Sequence, residues 1–325
     1  MPVEFHLSFN PPSLAQKITL SDRLFLIGSC FTNHLHDKLE AHKFRVLQNP
    51  HGILFNPVSI CNSLDAYINK RLVTKDQLFQ HQSLWHHWDF HSAFSNEDPE
   101  IALDMMNRSI VESHAYLKNA DWVFITLGSA FVYLKESKEV VANCHKMPSE
   151  QFKKELLKPS QIASRLLNVI HDLKNLNQKI KIAFTVSPVR HLRDGFIENN
   201  RSKATLIHAI DLIKEEVTSV DYFPAYELVI DDLRDYRFYA EDMVHPNYLA
   251  TQYVWEKFVE SCVEGKSQEA MKEINQLQQA VKHRPLHPSS NEHLKFKEKS
   301  KALALDLSKR FPFLDFSREI MHFSC

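Results

Sequence analysis

Glycine is scarce in this chain: five among 325 residues, about 1.5% where soluble domains average about 7%. Collagen-like and glycine-rich low-complexity chains are thereby excluded, and each glycine that remains marks a place worth locating. Cysteine is few and scattered. Cys30, Cys61, Cys144, Cys262 and Cys325 are odd in number and include no C-x-x-C pair, so neither a disulfide framework nor a zinc ribbon is indicated, and a reducing cytoplasm is expected. No segment approaches the roughly 18–20 uninterrupted apolar residues of a membrane span. Met1–His6 lacks a basic stretch followed by an apolar one, so neither export nor membrane association is expected. Charge of one sign is not in excess either: 39 Lys and Arg against 40 Asp and Glu give no global basic field for nucleic acid.

What is present is ample core material, 44% hydrophobic and 11% aromatic residues, so the chain should fold. The charge is uneven along it. Residues 266–325 hold eleven basic and seven acidic side chains, leaving 28 basic against 33 acidic for residues 1–265. This shift divides the chain into a main unit over 1–265 and a helical C-terminal extension over 266–325 that packs on the core. Pro285–Asn291 reads as a linker between two appended helices.

Within the main unit, short apolar runs alternate with helix-compatible spacing. Strands are expected at Arg23–Ile27, Phe44–Gln48, Trp122–Leu127 and Ile180–Val186, with Tyr222–Ile230 as a candidate edge. Helices are expected over Phe31–His42, Pro57–Asn69, Ile101–Leu117, Gln161–Leu173 and Lys203–Val217. Strands separated by helices imply βαβ units and a mainly parallel sheet covered on both faces.

In such a sheet ligands bind at the C-terminal ends of the strands. Gly28-Ser29, Gly52, Gly128-Ser129 and Ser187–His191 all fall at that rim. A serine in a strand-to-helix turn is a poor nucleophile until a base takes its proton. Among nineteen histidines His245 stands out, because Asp242 precedes it by three residues and can hold the imidazole in one tautomer.

Gly28-Ser29-Cys30-Phe31-Thr32 closely resembles the signature of the GSCFA family, with Thr in place of the final Ala, and that family is grouped with the SGNH/GDSL-like hydrolases. Further blocks with the same resemblance are Asn49–Pro57, Thr126–Ala130, Asn143–Lys146, Thr185–His191 and Arg234–Pro246. The resemblance implies a three-layer α/β/α fold of SGNH hydrolase-like, flavodoxin-like type. It also implies a Ser29–His245–Asp242 triad and an oxyanion hole using the N–H groups of Ser29 and Gly52. One departure matters. Where the classical enzymes have Gly-x-Asn, this chain has Gly128-Ser129-Ala130, so an amide donor is missing. Losing one such donor costs about 100- to 1000-fold in turnover. Asn143 is the preferred replacement, ahead of Ser129 and His145.

Other groups read more plainly. Cys30 is expected to be a buried small hydrophobe. His86, His87 and His91 alternate with Trp85, Trp88 and Phe90 and read as structural or groove-lining; no metal and no cofactor is implied. His34 and His36 do not share a helix face and are expected at the surface. Gly128, Ser129, Arg190 and His191 are candidates for substrate binding, with Asn200, Arg201 and Lys203 nearby, and Arg234–Arg237 for a brace beneath the Asp242–His245 loop. The expected function is a serine esterase acting on an O-acyl ester of a carbohydrate or small molecule, without nucleic-acid or membrane partners. An O-acyltransferase using the same triad and a non-catalytic binding protein of the same fold are the alternatives. The oligomeric state stays open.

Overall fold

The computed structural model describes Leu7 and residues 9–324. The readings made on Met1–His6 and on Cys325 lie outside the described residues. In chain order, β1 (Arg23–Gly28) runs into α1 (Phe31–Ala41), and β2 (Arg45–Gln48) into α2 (Pro57–Ile68). A hairpin of β3 (Phe79–His81) and β4 (Leu84–His86) precedes α3 (Pro99–Leu117) and β5 (Trp122–Leu127). Next come β6 (Phe131–Leu134), β7 (Val140–Val141) and β8 (Lys153–Leu156), followed by α4 (Pro159–Leu176), β9 (Lys181–Val186), α5 (Phe196–Glu216) and β10 (Val220–Tyr222). A short α6 (Ala225–Glu227) leads to α7 (Tyr248–Cys262), then α8 (Gly265–Lys282), α9 (Asn291–Arg310) and α10 (Ser317–His322).

The central sheet has five parallel strands in the order β10-β9-β5-β1-β2. Numbered by entry into the sheet this is 2-1-3-4-5, the flavodoxin-like order. Alternation along β1 assigns its faces. Phe25 and Ile27 point into a core shared with α2, α3, α4 and α5, while Leu24 and Leu26 point into a second core shared with α1, α7 and the C-terminal helices. Covering both faces explains why β1 and β5 read as unbroken apolar runs. Full burial of each such Leu, Ile or Phe contributes about 1.5–3 kcal/mol.

The C-terminal helices are part of that second core. Ile274, Leu277, Ala304, Leu307 and Phe316 lie in it with Phe44 and Trp255. A buried carboxylate, Glu319, is held there by Lys43 at 2.8 Å and by Gln278 at 2.7 Å. None of the helices among the described residues is long and apolar enough to cross a membrane.

Three local expectations change. The edge strand is Val220–Tyr222 alone; Phe223 makes one last bond to Phe184, Pro224 follows, and residues 225–233 coil, burying Ala225, Leu228, Val229 and Asp232 at helical spacing. Helix α5 starts at Phe196, seven residues early. Its first turns are polar or carry the exposed Phe196 and Ile197, so they show no apolar stripe. The three strands β7-β6-β8 form an antiparallel sheet that the βαβ reading did not anticipate.

Candidate active site

Four turns at the C-terminal ends of the sheet strands meet at one rim, and the β7-β6-β8 sheet forms the wall opposite. Between them lies a cleft of about 910 Å³. Cys30, Phe55, Ser129, Arg190, His191 and His245 line it from the rim, and Phe131, Tyr133 and Lys154 from the small sheet, with Phe152 just before β8. Two glycines set how closely the rim packs. A side chain at Gly28, φ +137°, would put its Cβ 2.0 Å from the Thr126 carbonyl oxygen, and one at Gly52, φ +87°, would lie 2.2 Å from the Cβ of His91.

Asp242 and His245 share a tight turn at the cleft mouth. The Nδ1 of His245 stands 2.6 Å from Asp242 Oδ2, while Asp242 Oδ1 accepts from the N–H groups of Val244 at 2.9 Å and His245 at 3.0 Å. Those bonds to His245 and Val244 hold the carboxyl down at about 2. The turn is tied to its surroundings. Ala240 donates to the His245 carbonyl at 2.7 Å, and Arg190 N–H donates to the Val244 carbonyl at 3.2 Å. Asn247 caps α7 through its Oδ1 and donates from Nδ2 to the carbonyls of Arg237 and Tyr239.

The nucleophile turn is arranged less simply. Ser29 is fully buried and its Oγ is sealed from solvent with no hydrogen-bond partner. His245 therefore makes no hydrogen bond to it. The N–H groups expected to form the oxyanion hole are engaged: Ser29 donates to Thr126 at 3.1 Å and Gly52 to Asn49 at 2.7 Å. Cys30, in contrast, is half-buried and lines the cleft, which differs from its expected burial as a small hydrophobe. It is the N-cap of α1. Burial pushes its thiol pKa up, against the opposing pull of the N–H groups of Cys30 and Phe31 and of the Lys203 charge.

Lys203 lies under this rim and is 1% exposed. Its ammonium donates to the carbonyls of Gly128 and Ser187, at 2.7 Å each, closing the space between the ends of β5 and β9. Burial lowers its pKa to about 7, while the two carbonyl acceptors favour the charged form. His191, on the cleft wall, is held neutral with a pKa near 4 by burial first and by the Lys203 charge second.

Position 130, where an amide would stand in the classical pattern, is a buried Ala130 whose N–H donates to Ser202 Oγ at 2.8 Å. Ser129 lines the cleft, with its Oγ accepting from Phe131 N–H at 3.1 Å. Asn143 lines it too. Its Oδ1 accepts from His145 N–H at 2.8 Å and its Nδ2 reaches Ser92 Oγ at 3.5 Å, so its amide is already committed locally. His145 is buried against His86 and bonded to Ser92 and His87. No group of His, Cys, Asp and Glu among the described residues could hold a metal ion.

The structure thus gathers Cys30, Ser129, Asn143, Arg190, His191 and His245 around one cleft, with Asp242 behind His245; Ser29 is buried beneath its surface, and Gly52 is not among its lining residues. The contributions of Lys146, Lys154 and Arg193 to the cleft and of Lys203 beneath it were not legible as such. Lys154 and Arg193 come from segments with no motif, and Lys146, although it ends the Asn143–Lys146 block, was not read as a cleft cation. Lys203, grouped in the sequence with the candidates for substrate binding, is instead buried beneath the cleft on the Gly128 and Ser187 carbonyls, and a lone Lys on the apolar side of a helix was the signal for that.

Comparison with curated proteins gives no significant match. Among solved structures, one similar chain is a Streptococcus pneumonia protein provisionally described as a platelet activating factor. It is 10% identical, with 74% of this chain and 82% of that one covered and a TM-score of 0.41. Another is an acetyl xylan esterase from the rumen bacterium Butyrivibrio proteoclasticus, 11% identical, with 75% and 64% covered and a TM-score of 0.36. A model of the GSCFA family matches residues 23–258, the span that carries the whole rim, and a model of the GSCFA C-terminal domain matches residues 274–325. The chain therefore belongs to the GSCFA family.

Proposed function

We propose that this chain is an esterase that cleaves an O-acyl ester of a carbohydrate or other small alcohol through an acyl-enzyme. His245 is the base, Asp242 orients it, and the β1–α1 turn supplies the nucleophile. The observation that carries this reading is the 2.6 Å Asp242–His245 contact at the mouth of a cleft of about 910 Å³. In the forward step the nucleophile gives its proton to His245 Nε2 and bonds to the acyl carbon. The alcohol leaves with that proton, and water then repeats the sequence to release the acid.

Ser29 is the nucleophile that the family signature suggests. Because its Oγ is sealed, attack by Ser29 requires the turn to open toward His245. A second reading makes Cys30 the attacking group and the intermediate a thioester. It is favoured by the half-exposure of Cys30 on the cleft wall and by its place at the start of α1, where the N–H groups of Cys30 and Phe31 oppose the burial-driven rise of its thiol pKa.

Labelling with a fluorophosphonate and, separately, with iodoacetamide, followed by mapping of the modified residue, tests both. Loss of ester hydrolysis in Ser29→Ala with retention in Cys30→Ala supports serine, and the reverse supports cysteine. If the intact chain neither hydrolyses p-nitrophenyl acetate nor forms an acyl-enzyme, the esterase reading is wrong. Adding a sugar acceptor separates hydrolysis from acyl transfer by product.

A further inference from the structure

We infer that the cleft takes esters of an anionic sugar, one whose alcohol portion carries a carboxylate or a phosphate. The inference rests on reading this cleft as the substrate site. The chain as a whole has a formal charge of -1, yet Lys146, Lys154, Arg190 and Arg193 line the cleft against a single acid, Asp194. Asp194 is ion-paired with Lys154. Among the described residues no carboxylate pairs with Lys146, Arg190 or Arg193. A walled cleft with cations of one sign focuses potential on what enters it.

Arg190 is the best prepared of these cations. Its guanidinium lies over the rings of Tyr239 at 4.1 Å and Tyr236 at 5.0 Å, and one of its nitrogens, Nη1, is buried without a partner. Stacking fixes the side chain before a ligand arrives, so little rotamer freedom is lost on binding. The charge it awaits belongs on the alcohol side. For an ester of a monocarboxylic acid the acyl group carries no charge until cleavage, so an anion already present in the bound ester sits on the alcohol. Phe55, Phe131 and Phe152 supply apolar faces on which a sugar ring or acyl chain can lie.

The test measures binding of methyl glucuronide and glucose 6-phosphate against methyl glucoside, by calorimetry on the full chain at low and high salt. The expected result is at least about tenfold tighter binding of one or both anionic sugars at low salt, with the advantage shrinking as the Debye length falls from about 30 Å to about 3 Å. Arg193→Ala and Lys146→Ala, at the exposed rim, are expected to reduce the advantage several-fold with an unchanged melting temperature. The carboxylate and phosphate arms tell which anion is preferred. Equal binding of charged and neutral sugars overturns the inference. So does binding of inorganic phosphate as tight as that of glucose 6-phosphate, because the sugar then contributes nothing. If the anionic sugars bind but their acetates are not cleaved, the esterase reading fails and the ligand assignment stands.

Discussion

Lys203 Nζ lies 2.7 Å from the carbonyl oxygen of Ser187, fixing the end of β9 from below. The same ammonium holds the Gly128 carbonyl at the end of β5. Lys203→Met, which keeps much of the volume, leaves both carbonyls without this donor. The expected loss is about 1–3 kcal/mol for each group left unsatisfied, read as a lower urea midpoint. Because the Lys203 charge opposes the burial-driven rise of the Cys30 thiol pKa, the same substitution should slow iodoacetamide labelling at neutral pH.

Asp242→Asn should separate geometry from charge. The side chain can still accept from Val244 N–H, but an amide N–H now faces His245 Nδ1 and favours the wrong tautomer. In a Ser-His-Asp enzyme a comparable exchange costs about 10⁴ in turnover, and a loss of that order in ester hydrolysis is expected here. In the native chain the carboxyl is depressed from 3.8 to about 2. Its contribution to the turn is therefore complete above about pH 4 and lost as pH falls through about 2. Amide exchange at Val244 and His245 checks this window.

Neutral histidines set a second pH dependence. Burial lowers His51 well below its usual range and holds His145 and His191 near 4. The folded chain binds fewer protons at these sites than the unfolded chain, whose histidines titrate near 6.5. Stability should thus fall as pH drops from about 6.5 toward 4. Urea midpoints across this range should show the loss, and His191→Asn should flatten part of it. A midpoint that rises on acidification contradicts the assignment.

A chain ending at Gly265 should aggregate. Removing α8, α9 and α10 uncovers the apolar face formed by residues such as Phe44 and Trp255 and strips Lys43 of its buried Glu319 partner. Gel filtration with a hydrophobic dye is the check: aggregation and dye binding are expected, and a compact monomer that binds no dye refutes it.

The central layers were readable from the sequence because β1, β5 and β9 are apolar runs and each is followed by a turn motif. Both follow from burial on two faces. The β7-β6-β8 wall was not, since residues 131–156 alternate too briefly and interleave lysines that face solvent or the cleft. Asp242 and His245 were legible because three residues of spacing suffice for one turn. The contrast between Ser29 and Cys30 was not, because exposure depends on the direction in which the chain leaves Gly28. That direction is set by the approach of Thr126, a contact about a hundred residues away in sequence that spacing alone cannot reveal.

Arg190 faces two ways. It lines the cleft, its main-chain N–H donates to the Val244 carbonyl, and its guanidinium stacks on Tyr239, which bridges to Pro246. Anyone redesigning ligand preference at this position would also be altering the mount of the neighbouring imidazole. Selectivity and proton transfer are thereby coupled traits, and in evolution they would be expected to drift together.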